Sequence, residues 1–118
     1  MAGIVFVRTR ALDAVRRFYQ DRVGMSVWLE QPGIVILRHG NLLVGFHEQP
    51  EADTDSLLTF FERDREFVDR MYLEFRDEAE APPRENPKYR IYHFYARDPE
   101  NRRVEFQCFL HPVEPPEW

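Results

Sequence analysis

The chain has 118 residues, 21 acidic against 16 basic, a net charge of −5, 43% hydrophobic residues, nine prolines and one cysteine. A single domain of this size buries roughly two-thirds of the surface its unfolded chain exposes, so a core forms without disulfide or metal staples. The arginines are scattered among acids, which argues against nucleic acid, and no apolar run nears the roughly 20 residues of a membrane span.

No cationic start leads into an apolar stretch, so the expectation is a soluble, cytoplasmic protein with no membrane partner. The lone Cys108 excludes an internal disulfide and suits a reducing compartment.

Ile4 to Val7 form a short β-rich run, and Thr9 is the predicted N-cap of a helix starting near Arg10. Leu12, Val15, Phe18, Tyr19 and Val23 keep helical spacing along one stripe, and Gly24 supplies the stop. Met25 to Glu30, Ile34 to Arg38 and Leu42 to His47 are strand-length runs separated by the turn-like Gln31-Pro32-Gly33 and His39-Gly40-Asn41. The first half therefore reads β-α-β-β-β. Residues 48–56 have the acids, proline and small polar residues of a linker.

The pattern then restarts. Leu57 to Phe61 is a strand, Asp64 a candidate N-cap, and Phe67, Val68, Met71, Tyr72 and Phe75 trace a second helical stripe. Residues 76–88 are predicted as loop or a weak edge strand because of their prolines and charges. Tyr89 to Arg97 and Arg103 to Leu110 are strands, and residues 113–118 form an extended proline-rich tail. Between those strands, Asp98 can bond the turn backbone, Pro99 presets φ, and Asn101 tolerates the left-handed conformation. In the last strand Val104, Phe106, Cys108 and Leu110 alternate with Arg103, Glu105, Gln107 and Phe109, which isolates one carboxylate opposite an apolar face.

The two halves, about 1–48 and 56–112, repeat an order of elements. Each has one helix and too few strands to hide both faces, so they are expected to pair as one domain over residues 1–112 with a shared cleft.

Through Phe18-Tyr19 with Gly24-Met25 after the first helix, and Asp98-Pro99 with Glu105-Phe106 near the end, the chain resembles the glyoxalase/bleomycin resistance protein/dioxygenase class, the vicinal oxygen chelate superfamily. The resemblance spans nearly the whole chain. It implies an α+β fold of paired βαβββ modules, a half-open curled mixed sheet with helices on the convex face, and a homodimer. It also implies a divalent ion held by the first and last strands of each module. The matching positions here are Ile4, Gly45, Ser56 and Glu105, and only Glu105 can ligate. The expectation is accordingly a metal-independent cleft, with an alternative metal set in His47, His93 and Glu105, brought inward by strand parity.

A small-molecule cleft is expected from Glu105, Tyr95 and His93 as candidate catalytic residues, with Arg8, Phe6, Leu43, His47 and Phe60 as candidate substrate contacts. Arg8 also falls where glyoxalase-like members carry a substrate-binding arginine. The alternative for Arg8 is a surface ion pair. His39 and His111 are expected in turn and tail, exposed, and Cys108 as a buried small hydrophobe. Trp28 is expected at the cleft mouth or a dimer contact. The function expected is binding or modifying a small polar or aromatic compound. The alternatives are a metal-dependent lyase, isomerase or dioxygenase with the relocated site, and an antibiotic-sequestering protein. No phosphate loop, GxSxG elbow or paired-cysteine zinc motif occurs.

Overall fold

The first β-rich run folds as β1 (Val5–Thr9) in the computed structural model, which describes residues 1–116. Thr9 does not cap the helix. Its backbone pairs with Glu48 at the end of β1, so the helix begins two residues later, as α1 (Leu12–Arg17) behind Ala11. The Thr9 hydroxyl instead accepts the Ala11 N–H at 3.1 Å. The expected stripe is present but not as one α-helix, because α1 continues as a π-helical turn over Phe18–Val23. The wider turn keeps Phe18, Tyr19 and Val23 all buried. Gly24 ends it at φ +97°, a left-handed value that suits a residue without Cβ, and the Gly24 and Met25 N–H groups both bond the Tyr19 carbonyl.

β2 (Ser26–Gln31), β3 (Ile34–His39) and β4 (Leu42–Glu48) complete a four-stranded sheet in the order β1-β4-β3-β2, with β1 parallel to β4 and the rest antiparallel. Val7, Val35, Leu37, Val44 and Phe46 are buried on one side of it, where Tyr19 stacks on Phe46 at 5.0 Å between ring centroids. Trp28 sits at a register shift in β2 and is 49% exposed. The linker folds back along β1: Gln49 N–H bonds the Thr9 carbonyl and Asp53 N–H the Arg8 carbonyl.

The chain divides into two compact units, one built on Met1–Thr54 and one on Asp55–Glu114. The second repeats the βαβββ order with β5 (Leu57–Phe61), α2 (Arg65–Phe75), β6 (Arg84–Asn86), β7 (Ile91–Arg97) and β8 (Arg103–Phe109) in a sheet ordered β5-β8-β7-β6. Asp64 caps α2 as expected, accepting the Phe67 N–H. The expected weak edge is the three-residue β6. Tyr89 and Arg90 lie outside β7, because the Asn86 side chain takes the Lys88 and Tyr89 N–H groups into a turn that Arg90 closes at φ +55°.

Alternation in β8 builds the core of this unit. Phe106 is fully buried and surrounded by rings from three other elements: Phe60 from β5, Phe94 from β7, and Phe67 and Phe75 from α2, at centroid distances of 5.8, 5.3, 6.3 and 5.1 Å. Each ring hides enough apolar area to contribute roughly 1.5–3 kcal/mol, which offsets the loss of chain entropy locally. Cys108 is buried in the same layer, and desolvation raises its thiol pKa.

The Asp98 to Asn101 turn forms as expected. Asp98 Oδ1 accepts the Glu100 and Arg102 N–H groups at 2.8 and 2.9 Å, and Asn101 adopts φ +67°. Arg102, unremarked in the sequence, is fully buried against the same residue, its Nη1 3.0 Å from Asp98 Oδ2 and its Nη2 2.9 Å from Glu100. Removing one partner of a buried pair leaves the other charge uncompensated. Asp98→Ala should therefore cost about 3 kcal/mol in urea unfolding, with Asp98→Asn less damaging because it keeps an acceptor for the turn.

Between β7 and α2, Tyr92 donates to Asp69 Oδ1 at 2.6 Å, with Arg65 4.5 Å over its ring. The bond to Asp69 is the main cause that pushes the Tyr92 pKa up to about 12 from 10.0. The contribution of this bond is complete below pH 10 and is lost as pH rises through about 12. In an ultraviolet titration, Asp69→Asn should move one tyrosine transition down towards the ordinary value.

Candidate functional site

Pleating puts Glu105 on the side of the second sheet away from α2. The register places Thr59 of β5 and Tyr95 of β7 opposite it on either flank. Thr59 Oγ1 donates to Glu105 Oε1 at 2.8 Å, and His93 Nδ1 lies 2.7 Å from Oε2. Glu105 and His93 are 6% and 4% exposed, so both carboxylate oxygens are spoken for in a shielded place. An ionised carboxylate only accepts, which puts the imidazole proton on Nδ1 and leaves Nε2 on the far side of the ring. Nε2 has no partner among the described residues.

Tyr95 makes an edge-to-face contact with His93 at 5.1 Å between centroids, and the Arg103 guanidinium lies 4.0 Å over the Tyr95 ring. Arg103 is in turn fixed by Glu80 through two bonds of 2.9 and 2.7 Å. These side chains border an open hollow of about 400 Å³ whose walls include His93, Tyr95, Glu105, Gln107, Tyr89 and Phe109. Polar groups that converge beside aromatic walls are the usual make-up of a small-molecule site.

Three of the sequence-derived candidates, Glu105, His93 and Tyr95, thus come together. Phe60 does not join them. Because Thr59 pairs with Glu105, Phe60 pairs with Phe106 and is buried against the helix side of the sheet, so it is a core residue and not a cleft wall. Phe6, Arg8, Leu43 and His47 share one face of the first sheet. Phe6 is 54% exposed and lies over Gly45, where a Cβ would approach its ring atoms to 2.5 Å. Leu43 is half-buried beside Arg38. The Arg8 guanidinium holds Asp53 through Nε and Nη2 at 3.0 and 2.8 Å, which raises its pKa, and His47 lies 3.0 Å from the Gln49 amide. The arginine therefore clamps the linker to β1.

Thr59, Arg84 and Arg103 were not singled out from sequence. Parity in Leu57–Phe61 was available as a signal, but the face that Thr59 shares with Glu105 depends on the β5–β8 register, which is a tertiary fact.

No family model matches the sequence, and no curated protein matches it. Solved structures do match. Lactoylglutathione lyase from Agrobacterium tumefaciens superposes with a TM-score of 0.77 at 21% identity, covering 92% of each chain. A glyoxalase/bleomycin resistance protein/dioxygenase family enzyme from Burkholderia phytofirmans PsJN gives 0.79 at 22% identity over 91% of this chain and 97% of its own. A glyoxalase/bleomycin resistance protein/dioxygenase from Nocardioides gives 0.76 at 16% identity over 100% and 89%. The chain has the fold of these proteins across its whole length, the fold expected of the vicinal oxygen chelate superfamily.

The divalent ion that this likeness implies does not fit the residues present. Gly45 is covered by the Phe6 ring, Ser56 offers a hydroxyl, and both oxygens of Glu105 are engaged by Thr59 and His93. Among the described residues, no group of three or more His, Cys, Asp or Glu side chains is placed to hold an ion. Protein equilibrated with Zn²⁺ or Mn²⁺ and then desalted should retain well below one ion per chain by mass spectrometry, and Glu105→Gln should leave that value unchanged. One ion per chain, lost in the variant, would overturn the assignment.

Proposed function

We propose that the chain binds or modifies a small polar or aromatic compound in the hollow of its second module, without a metal, in the cytoplasm and with two copies per assembly. The observation that carries this reading is the hydrogen-bond chain Thr59–Glu105–His93, which fixes an imidazole at the edge of a 400 Å³ hollow with Nε2 unpartnered among the described residues. Burying a carboxylate and an imidazole together costs free energy that a stability role alone does not recover, since a well-packed apolar pair does as well. A pre-oriented polar group beside aromatic walls is what a ligand of low molecular mass requires.

In this reading His93 makes a hydrogen bond to the ligand through Nε2. Tyr95, whose ring contacts His93 and Arg103, donates from its hydroxyl. Glu105 acts through His93, accepting its Nδ1 proton and fixing the ring's tautomer. Transfer of a proton to Nε2 is the one chemical step that these residues support by themselves. Fold alone does not choose between binding and catalysis, so the state of the recovered compound decides it.

The test is a panel of small aromatic and polar compounds titrated into protein with ¹⁵N-labelled histidine. Saturable shifts at His93, weakened about tenfold or more by His93→Gln or Tyr95→Ala, are expected from the loss of one or two buried contacts. A compound returned unchanged marks a binding protein and a changed one an enzyme. Shifts confined to residues of the first module would overturn the assignment to this hollow.

A further inference from the structure

Beside His93 lies an arginine whose side chain no other described residue engages. Arg84 of β6 pairs directly with His93 of β7. Residues opposite each other in an antiparallel pair project from the same face, with Cβ atoms about 5 Å apart. The Arg84 side chain has neither a hydrogen bond nor an ion pair among the described residues. It lines a smaller hollow of about 170 Å³ together with Glu80, His93, Tyr95 and Arg103, and His93 and Tyr95 also line the larger one. The two hollows therefore share a wall, and a ligand lying across it reaches both.

The charges in the smaller hollow do not balance. Its one carboxylate, Glu80, accepts two bonds from Arg103 and a third from Arg97 at 3.0 Å. Those bonds, led by that from Arg103, hold the Glu80 carboxyl below its ordinary pKa, so it stays ionised and committed. Glu105, the acid bordering the larger hollow, is turned to Thr59 and His93. Against one committed carboxylate stand two guanidinium groups, of Arg84 and Arg103, and that of Arg84 is unspent.

We infer that the paired hollows take a small organic anion, its carboxylate on the Arg84 guanidinium and an aromatic body against Tyr89 and Phe109, alongside His93. This rests on the small-molecule reading above and narrows it to a class of ligand. The planar fork of an arginine matches both oxygens of a carboxylate, whereas a neutral amide of the same shape offers one acceptor and a donor that the guanidinium repels. Stacking of Arg103 on Tyr95 keeps the wall shared by the two hollows in place before the ligand arrives.

The probes are phenylacetate and phenylacetamide, equal in shape and different in charge, titrated into the full chain by calorimetry and by ¹⁵N shifts of His93. Phenylacetate should bind about tenfold more tightly than the amide, and the preference should shrink as salt is raised. Arg84 is exposed on a short edge strand, so Arg84→Gln keeps the fold and should bring the two affinities to near equality. Equal binding of both compounds by the native chain, or a preference that survives in Arg84→Gln, overturns the anion inference while leaving the hollow as a binding site. Failure of both probes and of every compound in the wider panel overturns both readings together.

Discussion

Period-two alternation along β8 is the constraint on which the second module depends. Phe106 and Glu105 are consecutive, and the pleat must send them to opposite faces. One face receives the ring cluster of Phe60, Phe67, Phe75 and Phe94, and that cluster fixes α2 on the sheet. A slip of one residue would bury Glu105 among those rings and expose Phe106, so the register is set by the whole apolar layer. The geometry around Glu105 inherits its accuracy from this packing.

On the other face, burial of Glu105 and His93 is tolerated because every polar demand of the carboxylate is met. Thr59 and His93 each occupy one oxygen, and β5 can supply Thr59 only because it runs parallel to β8 in this register. The surrounding charges are arranged in successive steps outward: Glu80 is neutralised by Arg103 and Arg97, Arg103 covers Tyr95, and Arg84 faces the hollow. Electrostatic order of this kind places charge locally and does not follow from the net charge of the chain.

The first module repeats the fold without repeating the chemistry. Where β8 carries Glu105 opposite Thr59, β4 carries Gly45 opposite Phe6, and the aromatic ring lies where a side chain would otherwise stand. Arg8, which by parity faces the same side, is drawn to Asp53 and holds the linker against β1. Two copies of one architecture thus differ because fold is set by the apolar faces, while the polar faces are free to diverge.

Much of this was legible in the residues. The two βαβββ units, the Gly24 stop, the Asp64 cap, the Asp98 to Asn101 turn and the isolation of Glu105 all follow from local rules: periodicity, φ preference and side chain to backbone bonds within a few residues. Thr9 as a cap and Tyr89 as a strand residue failed because pairing with Glu48 and the Asn86 turn overrode local preference. Phe60 as a cleft wall failed for a different reason. Parity within one strand is a sequence property, but which of its faces meets Glu105 is decided by register against another strand. The sequence by itself determined the elements and which residues each strand presents together. Only the tertiary structure decided that Thr59 and His93 hold Glu105 and that Arg84 stands beside His93, because contacts between residues up to 46 positions apart are fixed by packing of the core and not by the chain near them.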